Sequence, residues 1–82
     1  MTEISDIVPV LVDLLKPFNP ENLSLTEATD IPAELNIDSV GVLDFIMEVE
    51  DHFNIEIPMN VVSNIRTVGE LAAYVQSQLI KA

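Results

Sequence analysis

The chain has 82 residues, of which 14 are acidic and 3 are Lys or Arg, for a formal charge of -11 and a pI near 4.1. That length supports one small domain over residues 1–82, and an apolar content of 49% is too high for a disordered acidic tail. The charge disfavours nucleic acid and anionic membrane surfaces and points to basic partners, while the lack of Cys and a single His, His52, remove disulfides, thiolate metal sites, a nucleophilic thiol and a serine triad.

No apolar run approaches the roughly 20 residues of a membrane span, and Glu3 and Asp6 stand where a signal peptide carries Lys or Arg. The expectation is a cytoplasmic monomer with no membrane insertion and no catalytic inventory of its own.

The first helix is marked by Ile4, Ile7, Val8, Leu11, Val12, Leu14 and Leu15, which recur at three-and-four spacing before Pro17. Pro9 complicates its start. A Thr2 cap would place Pro9 in the helix interior, whereas a Ser5 cap would leave it near the first turn, where a missing N–H costs less. A late or frayed start is expected. From Pro17 to about Ile37 no period is sustained, so a long loop follows, held to the core by Leu23, Leu25, Ile31 and Leu35.

A second helix should begin at Asp38 or Ser39 and run to Phe53, with Asn54 as its terminator. Pro58 then opens a short helix through Val61, Val62 and Ile65. The last helix carries a capping box, Thr67 with Glu70, followed by Leu71, Ala72, Val75 and Leu79 on one face. The fold class is all-α: a small bundle of three main helices plus one short helix, with a long loop between the first and second.

On a wheel, the second helix has two apolar stripes. Val42, Phe45, Ile46, Val49 and Phe53 suffice for a core face. Opposite lie Val40, Leu43 and Met47, interleaved with Asp44, Glu48, Glu50 and Asp51. Like charges three or four apart destabilise a helix by about 0.2–0.5 kcal/mol per pair, and Glu50 and Asp51 sit near the end of the dipole that repels them. Ten of the 14 acids lie between Lys16 and Arg66, with no base among them. A solvated face with stray apolar residues is the plainer reading of each part. Anchors, uncompensated acids and a Ser at the head of the same helix together describe a docking surface for a basic groove.

The run from Leu35 to Pro58, LNIDSVGVLDFIMEVEDHFNIEIP, resembles the acyl carrier protein family, with Asp38-Ser39-Val40 at its Asp-Ser-Leu motif. The likeness continues through Ile65-Arg66-Thr67-Val68. It implies a covalent carrier with no enzymatic activity. A phosphopantetheinyl transferase would attach 4'-phosphopantetheine from coenzyme A to Ser39, and acyl groups would ride as thioesters on the arm, able to fold into the bundle interior during transport. Asp38 would assist the transfer through Mg²⁺, compatibly with capping the helix, and no resident metal is expected. Val40, Leu43, Asp44, Met47, Glu48, Glu50 and Asp51 match the face shown to acyl-loading and acyl-transferring enzymes.

The chain also departs from the family. Asn36 replaces the usual Gly, and Gly41 stands where the housekeeping fatty-acid carriers have an acid; such a Gly should flatten and loosen the first turn. The stretch from Met59 to Asn64 lacks acids, which suggests a specialised fatty-acid, lipid or secondary-metabolite pathway. Alternatives are an unmodified interaction module of the same fold, an aminoacyl or peptidyl carrier and, from the acids alone, a divalent-ion binder, which lacks EF-hand spacing. His52 is expected at the surface, Tyr74 in packing, and Phe18 over the end of the first helix.

Overall fold

The computed structural model of the chain describes residues 3–81. Helix α1 (Ile4–Leu14) starts earlier than a Ser5 cap would allow: its N-cap is Glu3, which makes no side-chain cap, so Pro9 lies inside the helix. Pro9 cannot donate to the carbonyl one turn back, on Ser5, but both residues are exposed and water can serve that carbonyl. Thr2, the other candidate cap, lies outside the described residues. The apolar stripe behaves as its spacing predicts, burying Ile7, Leu11 and Leu15.

The long connection has more structure than its composition suggests. A 3-10 turn (Lys16–Phe18) follows α1 and seats Phe18 edge-on against Phe45, with ring centroids 6.0 Å apart. The Asn19 side chain clasps Leu23 in both directions, donating to its carbonyl and accepting its N–H at 3.0 Å each. Leu23 itself remains exposed and is not an anchor; Ile31 and Leu35 are buried, and Leu25 is half-buried. A one-turn helix α2 (Ile31–Glu34) is capped by Asp30, whose side chain accepts the Ala33 N–H. The loop is then fastened by main chain to the start of the last helix. Ile31 N–H donates to Arg66 O at 2.7 Å, Val68 N–H to Thr29 O at 3.1 Å and Gly69 N–H to Glu27 O at 2.9 Å. A Cβ at residue 69 would sit 3.1 Å from Glu27 O, so glycine permits this close approach.

Helix α3 (Ser39–Phe53) has the expected limits, with Asp38 as its N-cap and Asn54 as a left-handed C-cap at φ 56°. Phe45, Ile46 and Val49 are buried, while Val42 and Phe53 pack at the core margin. Pro58 precedes the short α4 (Met59–Asn64), and α5 (Val68–Lys81) buries Leu71, Ala72 and Val75. The predicted bundle of three main helices and one short helix is present; α2 is a further turn within the loop.

The core is assembled from all three long helices: Leu11 and Leu15, Phe45 and Val49, and Leu71 and Val75 are fully buried together. Truncating Phe45 to Ala would cost about 3–5 kcal/mol, comparable to the whole net stability of a core this small. Tyr74 packs against the bundle and its hydroxyl donates to Glu56 O at 3.3 Å, and His52 is exposed beside Phe53. No helix among the described residues is long and apolar enough to cross a membrane.

Candidate functional site at the start of helix α3

Three backbone features build the head of α3. Asn36 adopts a left-handed conformation at φ 53°, which Asn tolerates and which accounts for its standing in for Gly. Ile37 N–H donates to Pro32 O at 3.1 Å, fixing the turn after α2. Asp38 is extended, its Oδ1 accepts the Gly41 N–H at 2.9 Å, and its carbonyl accepts from Val42 N–H at 2.9 Å.

Asp38, Ser39 and Val40 are exposed, and their N–H groups find no acceptor among the described residues. An anion bonded to Ser39 Oγ would meet unpaired donors and the positive end of a helix of 15 residues. Among the described residues no side chain is hydrogen-bonded to the Ser39 hydroxyl. His52, the sole His, lies at the opposite end of α3 from Ser39. Among the described residues no cluster of three or more His, Asp or Glu could hold a metal ion.

Beside Ser39 runs a groove of about 440 Å³ between α3 and α4. Its walls are mostly apolar: Ile37, Val42, Leu43, Val62 and Ile65, with Ser63 and Arg66 as polar contributors. An exposed hydroxyl, unpaired N–H donors and an adjoining apolar trough fit a phosphodiester-linked arm with a hydrophobic load.

Helix α3 runs unbroken through Gly41, and the space a Cβ would fill there is taken by Ile37 Cγ2. Sequence reasoning misses this packing because it depends on where the preceding turn sends Ile37.

The seven residues of the expected docking face divide in the structure. Val40 and Met47 are 65% and 63% exposed, and Asp44, Glu48 and Asp51 are exposed beside them. Leu43 is half-buried and lines the groove with Ser39. Glu50 is half-buried, and its Oε2 accepts the Ile57 N–H at 2.7 Å while its carbonyl accepts from Ile55 N–H at 3.1 Å. It ties down the turn between α3 and α4, a role helix geometry alone does not reveal. Among the described residues the ion pairs are Lys16 with Asp13 at 3.1 Å and Arg66 with Asp30 at 3.0 Å. No base there offsets an acid of α3.

The Ala33 N–H, with the Arg66 guanidinium, holds the Asp30 carboxyl below its ordinary range. The N–H groups of Arg66 and Thr67 do the same for Glu70, closing the predicted capping box. Its other half is the Glu70 N–H, which donates to Thr67 Oγ1 at 3.1 Å.

Comparison with known proteins agrees with this geometry. Residues 9–75 match a family model described as a phosphopantetheine attachment site. An acyl carrier protein of Wolinella succinogenes is 35% identical over 77 residues, covering 94% of this chain and 97% of the relative. One from Lactobacillus acidophilus is 37% identical over 60 residues, covering 73% and 75%. The crystal structure of a Toxoplasma-specific mitochondrial acyl carrier protein superposes with a TM-score of 0.86 at 24% identity, over 99% of this chain and 96% of that one, so the fold is shared. With bacterial and mitochondrial proteins both among the matches, family membership assigns no compartment. The chain belongs to the acyl carrier protein family, carriers of acyl groups on a covalently attached 4'-phosphopantetheine.

Proposed function

We propose that Ser39 is the residue that bears the arm, and that the acidic face of α3 is where partner enzymes dock. The observation that carries the assignment is the coincidence at one point of an exposed serine, three unpaired N–H groups and the mouth of an apolar groove. In the transfer, a bond forms between Ser39 Oγ and phosphorus as the phosphoanhydride of coenzyme A breaks; the adenosine bisphosphate part leaves, and the hydroxyl proton passes to the transferase. Asp38 holds the first turn so that Ser39 stays presented, and its second carboxylate oxygen remains available to Mg²⁺ during that step. Once attached, the arm supplies a terminal thiol for thioesters, which a chain without Cys lacks.

Docking follows from charge and shape. Val40 and Met47 provide apolar knobs within a field of Asp44, Glu48 and Asp51, a pattern suited to a phosphopantetheinyl transferase and to acyl-loading and acyl-transferring enzymes with basic surfaces. The exposed part of α4, Met59, Asn60, Ser63 and Asn64, carries no charge, which supports a dedicated set of partners in a specialised pathway. The carrier unit is a single domain over residues 1–82, acting as a monomer.

The test is mass spectrometry after incubation with coenzyme A, Mg²⁺ and a broad-specificity phosphopantetheinyl transferase. The native chain should gain one phosphopantetheine, located by fragmentation to the peptide containing Ser39, and Ser39→Ala should gain none. Equal gain by Ser39→Ala overturns the assignment.

A further inference from the structure

Gly41 is the third residue of α3, where a capping box would place Glu. Asp38 accepts the Gly41 N–H with no reciprocal side chain, and the vacant volume at Gly41 is filled from outside the helix. A Cβ at that position would overlap Ile37 Cγ2 and lie 3.4 Å from Asp38 Oδ1, the capping atom itself. The Ile37 backbone has little freedom to yield, being fixed by its bond to Pro32 O and by the left-handed Asn36 before it.

Ile37 also divides two depressions. On one side it lines the groove with Ser39, Val42 and Leu43; on the other it borders a hollow formed with Phe18, Pro20 and Leu35. A residue before the cap and one four positions into the helix, here Ile37 and Val42, form the pair that commonly staples a helix entry, and both face the groove.

We propose that Gly41 and Ile37 are a matched pair that shapes the cargo groove: the missing side chain at 41 lets Ile37 lie against the first turn of α3, where it forms the wall of the groove next to the arm. The cargo this wall accepts is an apolar acyl chain whose first carbons, nearest the thioester, run along Ile37 and Val42. Any side chain at 41 turns Ile37 off the helix, either into the groove or into the hollow behind it, and the wall is lost in both cases. The proposal rests on Ser39 as the arm-bearing residue.

Two readouts test it separately. In the unmodified protein, Gly41→Ala should lower the melting temperature although Ala is the better helix former; in an Ile37→Ala background the same change should raise it, because the clashing methyl is gone. In protein loaded from octanoyl coenzyme A, the rise in melting temperature over the unacylated arm-bearing form should fall by at least half in Gly41→Ala. Ile37 methyl resonances should move with it. Gly41→Ala that stabilises both backgrounds alike, or that keeps the full octanoyl increment, overturns the pair. Failure of the native chain to load at Ser39 would instead remove the site assignment, and the melting comparison would still decide the packing.

Discussion

Helices α3 and α5 begin with opposite patterns of hydrogen bonding. At the head of α5 every N–H from Arg66 to Leu71 has an acceptor: Glu70 takes those of Arg66 and Thr67, the loop carbonyls of Thr29 and Glu27 take the next two, and Thr67 takes the last two. At the head of α3, among the described residues, only Gly41 and Val42 are served, both by Asp38, and three consecutive exposed residues keep their donors open. The two sequences both read as good helix starts. One is closed by the fold's own groups and holds the long loop to the core. The other is left open beside a groove, which suits the anionic attachment proposed at Ser39.

Substitutions at the two starts should therefore fail in different ways. The largest effect is expected from Ser39→Ala, with complete loss of phosphopantetheine transfer and no more than a few tenths of a kcal/mol change in stability, while Thr67→Ala should load normally. If Thr67→Ala abolished loading without unfolding, the contrast would collapse. Next, Glu70→Gln should lower the melting temperature at neutral pH, because it weakens acceptance from two backbone N–H groups. The Glu70 pKa is lowered in the folded state, so its contribution is present above the unfolded carboxylate range and disappears as pH falls through the folded value. Melting curves of the native protein and the Glu70→Gln variant should converge in acid; a constant gap would contradict the assignment.

Asp38→Ala should cost about 1 kcal/mol as a lost cap and should also slow transfer to Ser39, whereas Asp38→Asn should keep the cap and slow transfer alone. Equal loading rates for all three would reduce Asp38 to a cap. The smallest effect is expected on the α3 face. Glu48→Lys should stabilise the unloaded domain by about 0.2–0.5 kcal/mol and weaken binding to a basic partner enzyme, read by thermal melts and titration calorimetry. Added salt or millimolar Mg²⁺ should raise the native melting temperature by relieving the same repulsion. A flat response would show that these acids do not repel.

Much of this is legible from residue order. The Asp38 and Asn54 limits of α3, the Thr67–Glu70 box, the buried stripes and the Asp-Ser motif depend on local chemistry that the sequence displays directly. What stays hidden depends on tertiary placement. The strap from Glu27, Thr29 and Ile31 to the start of α5 uses main-chain atoms common to all residues, so no composition marks it. Glu50 reads as one more docking acid because its reach to Ile57 crosses a turn. Leu23 reads as an anchor and is exposed, and Pro9 is tolerated inside α1 because its face is turned to water. Gly41 reads as a weak point, yet its empty volume is filled by Ile37.

The amides of the two helix starts test the central contrast most directly. Comparing ¹H–¹⁵N spectra of the unmodified and phosphopantetheine-bearing proteins, the largest shifts should fall on Asp38, Ser39 and Val40, with slower hydrogen exchange there in the modified form, while Thr67 to Glu70 stay protected and nearly unmoved. Shifts concentrated at the start of α5, or none at residues 38–40 in protein shown by mass to carry the arm, would contradict the account.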